Sequence, residues 1–440
     1  MKSARQIVTE CLVRLEQDKS YSNLLLDAAL KKENLSSADQ KFATRLFYGV
    51  IERKLTLDYI AAGYLSQPVA KTPLAVRIIL WMGFYQLLYM DVPDSAAVNE
   101  SVKLAARFKP GAKGLINAVL RRFIREGKQV ALPDQSTDPF EYYSIAYSCP
   151  RWLVEQYARD YGEEKLRLIL ETSLLAPPVT IRLNPLKTDV SAALDRFSAE
   201  GIKAAAEENL PNAVCVEGNP SASSAFADGL FHVQDIASQL CALTVSADKP
   251  QLVFDLCAAP GGKSFTIAEE IAPYGGRVVS FDLHPHRVKL IQNGAKRLGL
   301  SNLSACVGDA SVFRPEVGQA DCVLCDVPCS GLGVIRRKPE IKYKPQNSLG
   351  KLPQIQLSIL RNAANYVKPG GRLIYSTCSL SKQENEQVAE AFLLEQKEFH
   401  PALLPKLPYL AEDCFQTTIF PQKDGPDGFF LASFVKKNGD

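Results

Sequence analysis

The sequence predicts a chain of three parts: an all-α bundle, a small α+β unit and an open α/β domain built on a parallel sheet. Three observations carry this. Residues 1–128 hold one amphipathic helical pattern after another, with no β-type alternation between them. Val179-Thr-Ile-Arg-Leu183 alternates like a strand and is followed by a helical stretch, Val190–Ala199. From about residue 226 onward, short apolar runs alternate with helical segments, the pattern of parallel strands joined by helices.

In the first part, Ile7, Val8, Cys11, Leu12 and Leu15 share one helical face, as do Phe42, Leu46, Phe47, Val50 and Ile51. The spacing recurs in Leu115, Ile116, Val119, Leu120, Phe123 and Ile124. The longest apolar run, Ala75 to Met90, is interrupted by Arg77 and Gln86 and is too short for a bilayer, so it predicts a buried helix. Ser95, after Pro93-Asp94, is the expected N-cap of a helix to Phe108, which Pro110-Gly111 stops. Turn formers at Ala131–Pro139 mark a linker. Beyond it, Ser148-Cys-Pro-Arg-Trp-Leu-Val154 opens a helix toward Leu175, and Pro220–Ser224 is the next loop. Strands are expected at Gln251–Asp255, Arg277–Asp282, Leu303–Gly308, Asp321–Cys325 and Gly371–Ser376. The expected limits are 1–130 for the bundle, 140–225 for the small unit and 226–437 for the α/β domain.

A hydrophobic content of 46% with 22% charged residues is that of an ordinary globular protein. Eleven cysteines without scaffold-like spacing predict free thiols in a reducing compartment. Met1-Lys-Ser-Ala-Arg-Gln6 has no secretory character, so a cytoplasmic protein with no membrane partner is expected. The net charge of +3 hides a local bias. Residues 101–128 carry eight Lys/Arg against Glu126, and residues 331–351 carry six against Glu340. Two such clusters, the first including Arg121, Arg122 and Arg125 and the second Arg336 and Arg337, predict a nucleic-acid partner.

Asp255-Leu-Cys-Ala-Ala-Pro-Gly-Gly-Lys263 follows an apolar strand and turns into a helix over Ser264–Ile271. In open α/β sheets, ligands bind at the carboxyl ends of strands, where small residues let the backbone approach closely. Asp282 ends the second strand, twenty residues after Gly262, the separation suited to a carboxylate on a ribose diol. Asp309, in Gly308-Asp-Ala310, is placed to meet an adenine edge. Asp255, Asp282 and Asp309 are expected in register at three strand ends. Dinucleotide and S-adenosylmethionine sites share this geometry. Against a dinucleotide, the loop lacks Gly-x-Gly-x-x-Gly: Cys257 and Ala259 occupy part of that window, and Pro260 removes a backbone donor.

Two cysteine stretches, Asp326-Val-Pro-Cys-Ser330 and Ser376-Thr-Cys-Ser379, place Cys329 and Cys378 49 residues apart, just past the fourth and fifth strands. Such thiols suit the methylation of a pyrimidine at C5. Cytosine C5 is a poor nucleophile until a thiolate adds at C6 and turns the ring into an enamine. A second group must then remove the C5 proton so that the enzyme can leave. Cys322-Val-Leu-Cys325 with Cys329 imitates a metal motif. An offset of three along a strand turns the first two thiols to opposite faces, and no fourth ligand is evident, so no metal is expected. His284 and His286 are expected on a loop surface.

The Asp255–Lys263 loop, Asp326-Val-Pro-Cys-Ser-Gly-Leu-Gly333 and Tyr375-Ser-Thr-Cys-Ser379 resemble the main signatures of the NOL1/NOP2/Sun family of RNA cytosine-C5 methyltransferases. Arg336–Ile341, Glu384-Asn-Glu-Gln-Val388 and Asp427-Gly-Phe-Phe430 match as well, and the likeness spans essentially the whole chain. Pro93–Val102 with Lys113–Leu120 resembles the NusB family of RNA-binding helical domains. The resemblance implies a Rossmann-like methyltransferase domain, an RRM-like middle domain, S-adenosylmethionine as cofactor and 16S ribosomal RNA as substrate, with a monomer expected. It implies Cys378 as nucleophile, Cys329 in product release and Asp326 on the cytosine. Cys257, Ala258, Ala259, Pro260, Gly261, Gly262, Lys263, Asp282, Asp309 and Asp326 would hold the cofactor. A transfer-RNA substrate is the alternative within the family. An NAD-dependent dehydrogenase and a non-enzymatic RNA-binding or antitermination module are the alternatives outside it; the last leaves both cysteine stretches unexplained.

Overall fold

A computed structural model describes residues 2–18, 22–33 and 35–438; Met1 of the amino-terminal stretch lies outside them. The chain divides into two compact units, Met1–Leu174 with Ile335–Lys344, and Leu175–Val334 with Pro345–Asp440.

The first unit is helical. Helix Leu74–Tyr89, the expected buried helix, is apolar nearly all round and is covered on most of its surface. Its residues Ile78, Ile79, Leu80, Met82 and Phe84 share one core with the stripes of Ala4–Asp18 and Ser37–Glu52. Helix Lys113–Arg125 adds Ile116, Val119, Leu120 and Phe123. Its stripe is narrower than expected, because Leu115 is 40% exposed. Helix Asp94–Phe108 starts one residue before Ser95, which lies in the first turn and is not the cap; Pro93 precedes the helix and makes no side-chain capping bond. The helix expected to open at Ser148 begins at Arg151, after a helix at Pro139–Ala146, and the backbone of Ser148 is left-handed (φ 52°).

Segment Ile335–Lys344 also belongs to this unit. Lys342 is only 1% exposed and its Nζ donates to the Glu52 carbonyl at 2.8 Å. Burial pushes its ammonium down to about 8. Tyr343 lies 3.1 Å from the Ser148 hydroxyl, and Glu340 accepts from Ser22 at 2.7 Å. Arg336 is 8% exposed. The second basic cluster is therefore not the open cationic face its composition predicts, because two of its cations are buried.

The second unit holds two sheets. Strands β1 (Thr180–Leu183), β2 (Ala204–Ala206), β3 (Ala213–Val216) and β4 (Phe231–Val233) form an antiparallel sheet in the order β2-β3-β1-β4. Helix Val190–Ala199 covers it with Ala193 and Phe197, the latter edge-on to Phe231. Because β4 pairs with β1, the sheet runs past the expected limit at residue 225. Helix Arg151–Thr172, expected in this small unit, lies within the compact unit Met1–Leu174.

The larger sheet contains β5 (Leu252–Asp255), β6 (Arg277–Asp282), β7 (Leu303–Val307), β8 (Ala320–Asp326), β9 (Val367–Thr377), β10 (Phe399–Pro401), β11 (Gln416–Ile419) and β12 (Phe429–Lys436). Its order is β10-β12-β9-β8-β5-β6-β7, with β11 pairing β12. The five strands from β9 to β7 are parallel as expected, but β12 runs antiparallel beside β9, so the sheet is mixed. Helices Ile236–Ser246, Gly262–Ile271 and Pro285–Leu298 pack on one face, and Leu352–Ala364 and Glu386–Glu395 on the other. Cys322 and Cys325 point into these opposite cores, as their spacing requires. From β5 the chain first builds β6 and β7 on one side, then β8 and β9 on the other. The carboxyl ends of β5 and β8 therefore border the topological switch point, where ligands of such sheets bind.

Candidate active site

The loop after β5 is fixed from several sides. Gly261 has φ 111°, and a Cβ there would sit 2.5 Å from the Phe265 ring, so the turn demands glycine. Ala258 N–H donates to the Phe281 carbonyl at 2.9 Å. Ala259 N–H donates to Asp282 Oδ2 at 3.3 Å, and Arg287 donates to the Ala259 carbonyl at 2.9 Å. Asp282, 4% exposed, also takes the His284 N–H at 3.1 Å. Asp255 accepts from Ser264 at 2.6 Å through Oδ2, while its buried Oδ1 has no partner. Burial raises this carboxyl to about 7, against the lowering effect of Ser264.

The three acids are staggered, not in register. Asp255 aligns with Ser280 and Asp282 with Val307, so each next acid lies two residues further along. A two-residue step keeps all three positions on one face of the pleat. Asp309 is exposed and lies beyond the end of β7. It accepts from Ser311 Oγ at 2.6 Å and Ser311 N–H at 2.9 Å, and both bonds lower its pKa. An acceptor without a partner, a nearly buried carboxylate and a glycine cradle fit a cofactor with an ammonium, a ribose diol and an adenine. Asp282→Ala is expected to weaken S-adenosylmethionine binding by about 1.5–3 kcal/mol, the scale of lost charge-assisted bonds. Calorimetry that returned wild-type affinity would reduce Asp282 to a brace for Ala259.

Asp326, the last residue of β8, aligns with Ser376 of β9, so the two cysteine loops leave adjacent parallel strands side by side. The geometry joins what lies 49 residues apart: Cys329 Sγ and Cys378 Sγ are 3.0 Å apart. The hydrogen bond to Cys378, and after it burial, holds the Cys329 thiol well above its usual range. Lys263 reaches from the β5 loop to Asp326 Oδ2 at 2.7 Å, and Ser376 Oγ donates to Oδ1 at 2.9 Å. Burial opposes the charge on Lys263, but Asp326 and the neighbouring thiols outweigh it and its pKa is raised. The β5 loop and the cysteine loops thus share one ion pair.

Residues that sequence reasoning left without a role complete the site. Glu384, 2% exposed, takes Ser330 and Ser379, the neighbours of the two cysteines, on one oxygen. Asn385 takes Thr377 Oγ1 at 2.6 Å and donates to the Ser379 carbonyl at 2.9 Å. Gly333 N–H donates to the Cys378 carbonyl, and Gly428 N–H to the Gly333 carbonyl, both at 2.9 Å. The one signal for these positions was their place in the motifs of the resemblance.

Of the expected RNA contacts, Arg121, Arg122 and Arg125 are exposed on one helix. Arg121 bonds Asn117 at 2.8 Å, and Arg122 pairs with Glu126 at 2.8 Å over the Tyr64 ring. Arg337 is half-buried and Arg336 buried. His284 and His286 are exposed, with His286 in the first turn of a helix. Among the described residues no cluster of His, Cys, Asp and Glu could hold a metal, and no helix is long and apolar enough to cross a membrane.

The mixed sheet with its antiparallel β12, and the acid-lined loop after β5, define the class: a Rossmann-like, S-adenosylmethionine-dependent methyltransferase. A family model described as 16S rRNA methyltransferase RsmB/F matches residues 242–435. The NusB family matches 2–125, and the ferredoxin-like domain of RsmF/B-like methyltransferases matches 149–222. The probable ribosomal RNA small subunit methyltransferase B of Bacillus subtilis is 40% identical, covering 99% of both chains. Ribosomal RNA small subunit methyltransferase B of Proteus mirabilis is 32% identical over 98% of both. The crystal structure of PH0851 superposes with a TM-score of 0.80 at 26% identity, covering 99% of each chain. The chain belongs to the RsmB/F family.

Proposed function

We propose that the protein methylates C5 of one cytosine in 16S ribosomal RNA through a covalent bond between Cys378 and C6. The observation that carries this is the pair of sulfurs 3.0 Å apart at the tips of adjacent strands, joined to the cofactor loop by Lys263–Asp326. The relatives named as ribosomal RNA small subunit methyltransferase B support the substrate class.

Cys378 is the nucleophile. Its neighbour Cys329 keeps a proton and donates it as a hydrogen bond, which favours thiolate on Cys378. The thiolate adds to C6, electron density moves to C5, and N3 takes a proton from water, while Asp326, held in place by Lys263 and Ser376, accepts from the cytosine amino group. S-adenosylmethionine, when bound, supplies the electrophilic methyl group that C5 takes. Once Cys378 is bonded to carbon, Cys329 loses the largest influence that held its proton and gives that proton to solvent more readily. As thiolate it removes the C5 proton, Cys378 departs with the electrons of its C–S bond, and N3 returns its proton to water. The target base must leave its stack to reach these groups, which favours a loop or a disrupted pair. Arg121, Arg122 and Arg125, with Arg337, are the proposed phosphate contacts; Arg336, being buried, is withdrawn from that set.

Incubating the protein and S-adenosylmethionine with separate pools of 16S and transfer RNA, and mapping 5-methylcytosine by bisulfite sequencing, tests the reading. One new 5-methylcytosine in the 16S pool is expected. Methyl groups on another base atom, or in transfer RNA alone, would overturn it.

A further inference from the structure

Each reactive cysteine is followed by a serine, and the two serines meet. Ser330 Oγ and Ser379 Oγ are 2.8 Å apart and fully enclosed. Both lie on Glu384 Oε1, Ser330 at 2.5 Å and Ser379 at 2.7 Å. Glu384 Oε2 takes the Ser330 N–H at 2.8 Å and Gln356 Nε2 at 3.0 Å, while the same Gln356 nitrogen donates to the Pro328 carbonyl at 3.0 Å. Glu384 is itself anchored: Tyr375 donates to its carbonyl, and its N–H donates to the Ser381 carbonyl at 2.9 Å. One buried carboxylate thus gathers four donors, three of them from the residues flanking Cys329 and Cys378. The sulfurs belong to loops on different strands, and no covalent bond joins them.

We propose that Glu384 is a positioning residue: through Ser330 and Ser379 it holds the two cysteine loops so that both sulfurs face one base. This rests on the reading that Cys329 and Cys378 act together, and it assigns the distance between them to a residue that touches neither. A loose pair would let one sulfur reach C6 while the other missed the C5 proton, and errors of about 1 Å at reacting atoms cost on the order of 100-fold.

Phenylarsine oxide tests the distance directly, because its arsenic bonds two thiols at once, releasing water, only where they lie side by side. Wild-type protein is expected to be captured by one equivalent, and Cys329→Ala or Cys378→Ala not. Glu384→Ala should slow both arsenical capture and RNA methylation by about 10–100-fold, with S-adenosylhomocysteine affinity unchanged. Glu384→Gln should recover most of both, since its oxygen can face Ser330 N–H and Gln356 while its amide donates to the hydroxyls. Should Glu384→Ala fail to fold, the Ser330→Ala/Ser379→Ala double variant, which leaves the carboxylate two donors, should show the same slowing. Capture at the wild-type rate in a folded Glu384→Ala or double-serine variant would overturn the proposal. If capture slows as expected but wild-type protein makes no 5-methylcytosine, the clamp stands and the reaction assigned to it falls.

Discussion

Cys378→Ala is expected to lose methyl transfer by on the order of 1000-fold or more, while binding S-adenosylmethionine as the wild type does. The size follows from the chemistry: without addition at C6, C5 stays too electron-poor to take a methyl group, and members of a catalytic unit each cost nearly as much as the whole when removed. The selectivity follows from the structure. Cys378 lies one residue beyond β9, whereas the cofactor's proposed contacts lie on the β5 loop and at the ends of β6 and β7. Its sulfur faces Cys329, and its carbonyl takes the Gly333 N–H, a bond the substitution keeps. Single-turnover methylation of 16S RNA and calorimetry with the cofactor check the two halves. Activity within tenfold of wild type would move the nucleophile elsewhere.

What could be read in advance follows from how local each feature is. The buried helix Leu74–Tyr89 and the five parallel strands declare themselves in runs of neighbouring residues. So does the β5 loop, where the demand for glycine at 261 arises within the turn. Features made by distant segments were hidden. β4 joins its sheet through β1, some 50 residues earlier, so composition around residue 225 gave no sign that the sheet continued. Strand β12 is apolar on both faces because it is inserted between β9 and β10, and no alternation marked it. Lys342 sits in a basic run that reads as solvated until the Glu52 carbonyl, 290 residues away, is seen to hold it. At the site, both cysteines stood out as reactive types in repeated Cys-Ser pairs. Glu384 did not, because an acid just ahead of helix Glu386–Glu395 is what any helix start favours. Its four donors come from the two cysteine loops and from Gln356 on helix Leu352–Ala364, which only the fold assembles.

Cys329→Ala is expected to behave in the opposite way to Cys378→Ala: the protein should bond RNA and fail to release it. In the resting site the Cys329 thiol is held protonated chiefly by its bond to Cys378, at 3.0 Å, and secondarily by burial. Addition of Cys378 to C6 removes the first of these. The Cys329 pKa then falls, against the burial and the Glu384 and Asp326 charges that still raise it, and its thiolate becomes easier to form at the stage when a base is needed next to the C5 proton. Alanine removes the hydrogen bond that favours the Cys378 thiolate, so addition is slower, but it also provides no base, so elimination stalls and the Cys378–RNA bond persists. The adduct should migrate as a slow species on a denaturing gel, reach a large fraction of the enzyme with excess RNA and cofactor, and vanish in the Cys329→Ala/Cys378→Ala double variant. Neither neighbouring carboxylate can readily take over, since Lys263 and Ser376 occupy both oxygens of Asp326, and Ser330, Ser379 and Gln356 those of Glu384. An adduct that survives in the double variant, or normal turnover by Cys329→Ala, would reject the division of labour between the two sulfurs.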